Sequence, residues 1–383
     1  MELLKKKIES IMNDNGMQKG IPTERFLMGL SHCYGSMMKI RDRFFQKHPE
    51  RSRRLPCMVI SVGNITVGGT GKTPMTVYLA KMLMDAGYRI AIVSRGYGGK
   101  ASKTGGIVCD GKKILLPTHM AGDEPYMMAK QLHDVPIVVW SNRYQAGILA
   151  IEKFSPDILL LDDGFQHRKL KRDLDILLLD ANHPFGNGHL LPRGTLREPV
   201  AMIQRADIMI LTRAGSSAPE KPLLKQLSKN GLESFAEHTP LFLSSHKPYL
   251  HSIIPCGDRE IGRYTISSQN DPPSLAEKSV FAFSGIARNY DFRESAVSLG
   301  CRISGYLEFP DHHEYSDSDF SGIVQAAREN NAEMIITTEK DYSRIAGFIQ
   351  WPLPLAVIGV SILIQEDGAF QNLILKKIQH HLS

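Results

Sequence analysis

The run VISVGNITVGGTGKTPMTVYLAKML, residues 59–83, most constrains what this chain can become. It reads as strand, glycine-rich loop and helix. Glycines let backbone N–H groups converge on phosphate oxygens, and the N-terminus of the following helix adds partial positive charge. Thr66, Val67, Gly68, Gly69, Thr70, Gly71, Lys72 and Thr73 form the expected phosphate loop. In such a loop the lysine reaches the β- and γ-phosphates of ATP and the following hydroxyl ligates Mg²⁺. The competing reading, a glycine-rich turn before an ordinary helix, leaves the lysine and threonine without a role.

The loop departs from G-x-x-x-x-G-K-[ST] because Thr66 stands where a glycine is required, and the doublet Gly68-Gly69 makes it a variant. It resembles the GG-x-GK-T loops of a class that includes ATPases with a signature lysine ahead of the glycine pair. Here that position is Val67, so a mechanism in which a partner inserts the lysine is not supported. A metal-holding acid should end a neighbouring strand, and ILLLDD puts Asp162 and Asp163 after four apolar residues. A helix N-cap pair is the alternative reading of those two aspartates.

Short apolar runs recur at 57–63, 89–96, 136–140, 157–163, 175–180 and 207–213, several without alternation. Strands buried on both faces have this pattern. Helical segments lie between them, most clearly Pro74 to Ala86, which has a proline in its first turn and Gly87 as its stop. The expectation is a P-loop, doubly wound, mostly parallel α/β domain over 55–242. Residues 243–273, poorly periodic and rich in Ser, His, Pro and Gly, read as a linker with room for short strands. A smaller C-terminal α/β domain follows over 274–383, with apolar runs at 280–285, 334–341 and 353–360 and helices near 291–299 and 317–330.

Residues 1–54 form an N-terminal amphipathic extension. Between Lys39 and Arg54 seven Lys/Arg face two acids, interleaved with Phe44 and Phe45, just after the apolar FLMGLSHCYGSMM. This composition suits a helix lying in a membrane interface, where each basic residue near anionic lipid adds about 1 kcal/mol. A solvated helix packed on its own core is the bland alternative. No nucleic-acid module accompanies the basic run, so no nucleic acid is expected as partner. The five cysteines are scattered and never form C-x-x-C, which points away from disulfides and structural zinc and towards a reducing cytoplasm. Neither a secretory signal nor the roughly 20 apolar residues needed for a span is present in the sequence.

The motifs DDGFQHR, GNGHLLPRGTLREP, SRGYGG, AGDEP, SNRYQAG, FPDHHEY and TTEKD, taken with the phosphate loop, resemble the tetraacyldisaccharide 4'-kinase family. The likeness runs from Ser31, Tyr34 and Gly35 to about Asp341. It implies phosphorylation of the 4' hydroxyl of the acylated disaccharide precursor of lipid A at the inner membrane of Gram-negative bacteria. By position it implies that Asp123 and His312 form a dyad that activates the acceptor hydroxyl, assembled by closure of two domains. It also implies that Arg143 and Arg197, with Glu198, line the site; Arg95 and Tyr97 rank behind them. Without the resemblance Asp123 is a loop carboxylate and His312 a surface histidine. Asp311, His312, His313 and Glu314 could alternatively bind a metal, but adjacent ligands rarely converge on one ion.

The expected setting is peripheral attachment to the cytoplasmic leaflet, with Ser31, His32 and Gly35 interrupting the apolar N-terminal stretch and no obligate protein partner. Two other functions fit a phosphate loop: an ATPase coupling hydrolysis to conformational change, and a membrane-recruited nucleotide switch. The ATPase predicts phosphate release without an acceptor; the switch predicts tight nucleotide binding, very slow turnover and no requirement for Asp123.

Overall fold

Residues 8, 10–12, 22–215, 220–257, 275–345 and 350–382 are described by the computed structural model. In chain order the elements are α1 (Pro22–Lys47), β1 (Met58–Asn64), α2 (Lys72–Asp85), β2 (Ile90–Ser94), β3 (Gly106–Asp110), α3 (Asp123–Gln131), β4 (Pro136–Val139), α4 (Arg143–Phe154), β5 (Ile158–Asp162), β6 (Leu174–Asp180) and β7 (Ile208–Thr212). There follow α5 (Glu220–Lys229), β8 (Leu241–Ile254), β9 (Ser279–Ser284), α6 (Asn289–Ser298), β10 (Arg302–Glu308), α7 (Asp317–Glu329), β11 (Met334–Thr338), α8 (Glu339–Ile345), β12 (Leu355–Ile364) and α9 (Asp367–Leu382), with short helical turns between some of them.

The expected mostly parallel α/β architecture is what forms. Among the described residues twelve strands make one sheet in the order β10-β9-β11-β12-β8-β7-β6-β1-β5-β2-β4-β3. The missing alternation has a simple cause. Every residue of β1 is buried: Ile60 and Val62 pack with Leu79 and Leu83 of α2 on one face, while Val59 packs with Ala146 and Ala150 of α4 on the other. Since successive side chains of a strand point to opposite faces, a sheet covered by helices on both sides makes each position apolar.

The pairing is parallel except at β3–β4 and β12–β8. Residues 243–254, within the stretch read as a linker, belong to a strand of 14 residues. Its start pairs parallel with β7 through Leu241, Phe242 and Leu243, and its remainder runs antiparallel to β12 from Ser244 to Ile254. The strand thereby knits the two α/β patterns into one ladder. Half-buried polar residues and Pro248 hid it from periodicity. The rest of that stretch, 258–274, lies outside the described residues. Edge strands β3 and β10, both partly exposed, also escaped the pattern.

Candidate active site

The phosphate loop leaves the carboxyl end of β1 and turns into α2 at Lys72. Positions Gly68 and Gly69 have open space where a Cβ would project, and Gly68 has φ 106°, so their backbone faces an unfilled cradle. The loop is held from two sides. Asn64 Nδ2 donates to Thr70 Oγ1 at 2.8 Å, and Arg213 Nη2 donates to the Gly69 carbonyl at 2.6 Å. Thr66 forms an isolated β-bridge with Leu196, flanked by Val67 N to Thr195 O at 2.8 Å and Arg197 N to Ile65 O at 2.7 Å. An extended, buried residue in a bridge needs no glycine, which accounts for the threonine at this position.

Asp162 ends β5 and is 1% exposed, accepting from Ser94 Oγ at 3.2 Å and, more weakly, from Thr76 Oγ1 at 3.4 Å. Burial, and then the charges of Glu124 and Asp163, push its carboxyl up to about 7. Asp163 follows in the left-handed region at φ 53°. Burial works against its ionisation, but Lys72 and Arg197 outweigh that and hold it below the usual range. Arg197 Nη1 lies 2.8 and 2.9 Å from the two Asp163 oxygens, and Lys72 Nζ lies 3.7 Å from one of them. The two aspartates therefore differ: Asp163 is engaged by cations, and Asp162 is a buried carboxylate facing surplus negative charge. Thr73, also buried, sits at the start of α2. An open cradle, a buried hydroxyl and an undercompensated carboxylate fit a magnesium-bound triphosphate.

Arg143, at the start of α4, is 4% exposed and donates to Trp140 O at 2.9 Å. Burial lowers its pKa to about 10 against the opposing charges of Asp163 and Asp162. Its buried Nε has no hydrogen-bond partner among the described residues. Gln166 fastens the DDGFQHR segment by donating to Asn64 O at 2.7 Å. Phe165 packs so tightly on Gly63 that a Cβ there would stand 2.5 Å from it.

Asp123 opens α3, and His312 Nδ1 lies 3.0 Å from its Oδ2. Lys340 Nζ is 3.4 Å from the other ring nitrogen, so Lys340 donates to Nε2 and Nδ1–H donates to the carboxylate. The Tyr97 ring stands 5.6 Å from the imidazole. Burial alone would raise Asp123, but hydrogen bonds from His312 and Arg344 bring it down to about 2. His313 turns away to Asp319 at 3.1 Å, so the DHHE cluster diverges. The phosphate loop, Asp162, Asp163, Arg143, Arg197 and His312 share one cleft of about 820 Å³, with Asp123 behind the imidazole.

Helix α1 reaches the same cleft through Tyr34 and Arg41. Ser31 donates to Leu190 O at 2.8 Å and Tyr34 to Arg197 O at 2.7 Å; Arg41 pairs with Glu198, and Asp42 with Arg168. Ser31 and Gly35, read as interruptions of an apolar helix, are its contact face with the loop that carries Arg197. Sequence reasoning also missed Arg344, because its partner Asp123 is 221 residues away and no local pattern marks it.

Fold and site define a P-loop α/β protein whose cleft brings the glycine-rich loop beside a hydrogen-bonded carboxylate–imidazole pair. Residues 23–379 match the family described as tetraacyldisaccharide-1-P 4'-kinase, and the chain belongs to that family. It is 39% identical over 383 residues to the tetraacyldisaccharide 4'-kinase of Desulfatibacillum aliphaticivorans, covering 99% of both chains. To that of Syntrophus aciditrophicus it is 38% identical, covering 98% of this chain and 99% of the relative. Among solved structures, the "apo" form of LpxK from Aquifex aeolicus in complex with ATP superposes with a TM-score of 0.69 at 33% identity, over 93% of this chain and 99% of that one.

Proposed function

We propose that the protein is an ATP-dependent lipid kinase that moves the γ-phosphoryl group to the 4' hydroxyl of a tetraacylated glucosamine disaccharide 1-phosphate, a step of lipid A biosynthesis. One observation carries the reading: the phosphate loop and the hydrogen-bonded pair of Asp123 and His312 meet at a single cleft. An ATPase or a switch needs the first and has no use for the second.

The chemistry follows from the residues. Backbone amides of Gly68 to Gly71 and the Lys72 ammonium hold the triphosphate, while Thr73 and Asp162 would hold Mg²⁺. When bound, the ion neutralises charge on the β- and γ-phosphate oxygens. Arg143 and Arg197 supply further positive charge to the transferring group. The acceptor hydroxyl attacks phosphorus, the bond to the β-γ bridging oxygen breaks, and ADP leaves. The hydroxyl proton passes to the dyad, where imidazole and carboxylate titrate as one unit. His312 is the member at the cleft; Lys340 must yield Nε2 to the hydroxyl.

We further propose that the enzyme works as a peripheral protein on the cytoplasmic face of the bacterial inner membrane. Phe26, Leu30, Met37, Ile40 and Phe44 of α1 are exposed. At 100° per residue they fall within about 40° of one line down the helix, opposite the face held by Ser31 and Gly35. Arg25, Lys39, Arg43 and Lys47 on the same helix suit anionic headgroups. Among the described residues no helix is long and apolar enough to cross a membrane.

Incubation with γ-labelled ATP and the acylated disaccharide 1-phosphate should yield labelled lipid, and Lys72→Ala should abolish it. Phosphate release with no labelled lipid would overturn the kinase reading. Vesicles containing anionic phospholipid should bind the enzyme, and Phe26→Glu with Ile40→Glu should release it while leaving turnover of detergent-dispersed substrate intact. Unchanged vesicle binding would remove the docking role of α1.

A further inference from the structure

We infer that Arg344 is a positioning residue for phosphoryl transfer: from α8 it fixes Asp123 against His312 and so assembles the dyad out of two distant parts of the chain. The inference rests on the dyad reading above. Three donors converge on one oxygen, Asp123 Oδ2: Arg344 Nε at 2.9 Å, Arg344 Nη2 at 2.7 Å and His312 Nδ1 at 3.0 Å. Arg344 Nη2 is itself 3.2 Å from His312 Nδ1, so the guanidinium touches both members. Its Nη1 is tied down separately, to Gly285 O at 3.0 Å and Asp341 Oδ1 at 3.1 Å.

Those anchors are rigid. Asp341 is fully buried and accepts from Thr338 Oγ1 at 2.7 Å, Gly285 N at 3.0 Å and Tyr315 OH at 3.0 Å. The Arg344 side chain is 8% exposed and, unlike His312, does not line the cleft. A planar guanidinium with its two edges assigned to different partners sets both the distance and the direction of the Asp123 carboxylate. Any rotation of Asp123 away from the imidazole breaks these charge-assisted bonds.

The other charged groups around the pair are few. From α8, Lys340 faces His312 Nε2 and pairs with Asp311 at 3.1 Å; from the turn after β2, the Tyr97 phenol ring covers the imidazole. Glu124, next to Asp123 on α3, lines the cleft and acts on Asp162. Arg344 is thus the cation in direct contact with the carboxylate. The depressed pKa of Asp123 agrees with this, since Arg344 is one of the two groups that overcome its burial. Removing that charge raises the proton affinity of the dyad as a unit.

The test is a pH–rate series on the full-length enzyme with the disaccharide lipid, with ATP affinity and melting temperature recorded for each variant. In Arg344→Gln, kcat should fall roughly 10–100-fold, as for a misplaced catalytic group, and ATP affinity should stay within about twofold. The acid limb of kcat/KM should move up by about one pH unit, the usual effect of losing an adjacent opposite charge. Arg344→Lys, which keeps the charge without the fork, should restore the acid limb and only part of kcat. An acid limb of Arg344→Gln that coincides with the parent's would overturn the inference, whatever its melting temperature. So would parent-like kcat in Arg344→Lys, which serves as the test if the glutamine variant does not fold. Asp123→Asn in the same series separates the two readings: if it is fully active, the dyad itself fails. If it is inactive while Arg344→Gln behaves as the parent, only the role of Arg344 falls.

Discussion

Gly71 sits at φ 84°, and a Cβ there would stand 2.8 Å from His246 Nε2. Gly71→Ala should therefore cost about 1–2 kcal/mol from backbone conformation alone and displace the start of α2. Weaker nucleotide binding by calorimetry, with a lower melting temperature, is the expected result. Asp162 carries a pH prediction. Its folded carboxyl lies near 7, well above the ordinary value of 3.8, so the folded state holds this proton more tightly than the unfolded chain does. That stabilising contribution is complete below about pH 4 and is lost as pH rises towards 7. The melting temperature of the metal-free parent relative to that of Asp162→Asn should therefore fall between about pH 5 and about pH 8. The depressed carboxyls of Asp123 and Asp163 lose their contributions only at lower pH, while His167 and His246, which burial pushes down to about 4, move stability the opposite way over this window in parent and variant alike, so the parent-minus-variant difference isolates Asp162. Adding Mg²⁺ and ATP at about pH 8 should recover stability in the parent and much less in the Asn variant.

At the scale of elements, α1 does two things with two faces. Its inner face ends on backbone carbonyls of the loop that bears Arg197, and its outer face is an exposed apolar line. Tyr34→Phe removes one hydrogen bond to the Arg197 carbonyl and should cost about 0.5–1.5 kcal/mol. Spent entirely on Arg197 placement, that is a fall in kcat of roughly two- to thirteenfold. Vesicle binding should be unaffected; a loss of binding with normal kcat would show that Tyr34 serves the outer face instead. Because the helix supports the site, deleting residues 1–54 would damage turnover as well as docking, and outer-face substitutions are the cleaner probe.

Across the whole molecule, the two α/β patterns are held together beside the phosphate loop by ion pairs centred on Asp180. Buried at the end of β6, it accepts from Arg213 at 3.0 Å and Arg288 at 2.6 Å, while Arg213 Nε lies 2.9 Å from Asp291 at the start of α6. Since Arg213 also holds the Gly69 carbonyl, the network couples the phosphate loop to residues beyond β9. Asp180→Asn removes the buried charge from this network, but Asp291 still faces Arg213 and the Arg288 side chain is 36% exposed; solvent screening therefore brings the expected cost to about 1–3 kcal/mol, below that of a fully buried pair. Urea denaturation would measure it, and ATP affinity should weaken with it. A loss under about 1 kcal/mol would mean that the pairs are solvated and hold nothing.

The sequence by itself determined the parts whose physics is local. Buried parallel strands need apolar runs, a phosphate loop needs glycines at set spacing, and helices such as α2 and α7 carry their own stops and caps; for α7 the cap is the Ser316–Asp319 box. Asp162 and Asp163 were legible because a strand end fixes where they point. Only the tertiary structure decided that residues 243–254 bridge the two patterns in one sheet, that Thr66 replaces a glycine by pairing with Leu196, and which face of α1 turns inward. The same holds for Arg344, whose role comes from a carboxylate 221 residues away. Strand pairing and ion pairing between distant segments have no period along the chain, so they are settled only when the packed core brings those segments together.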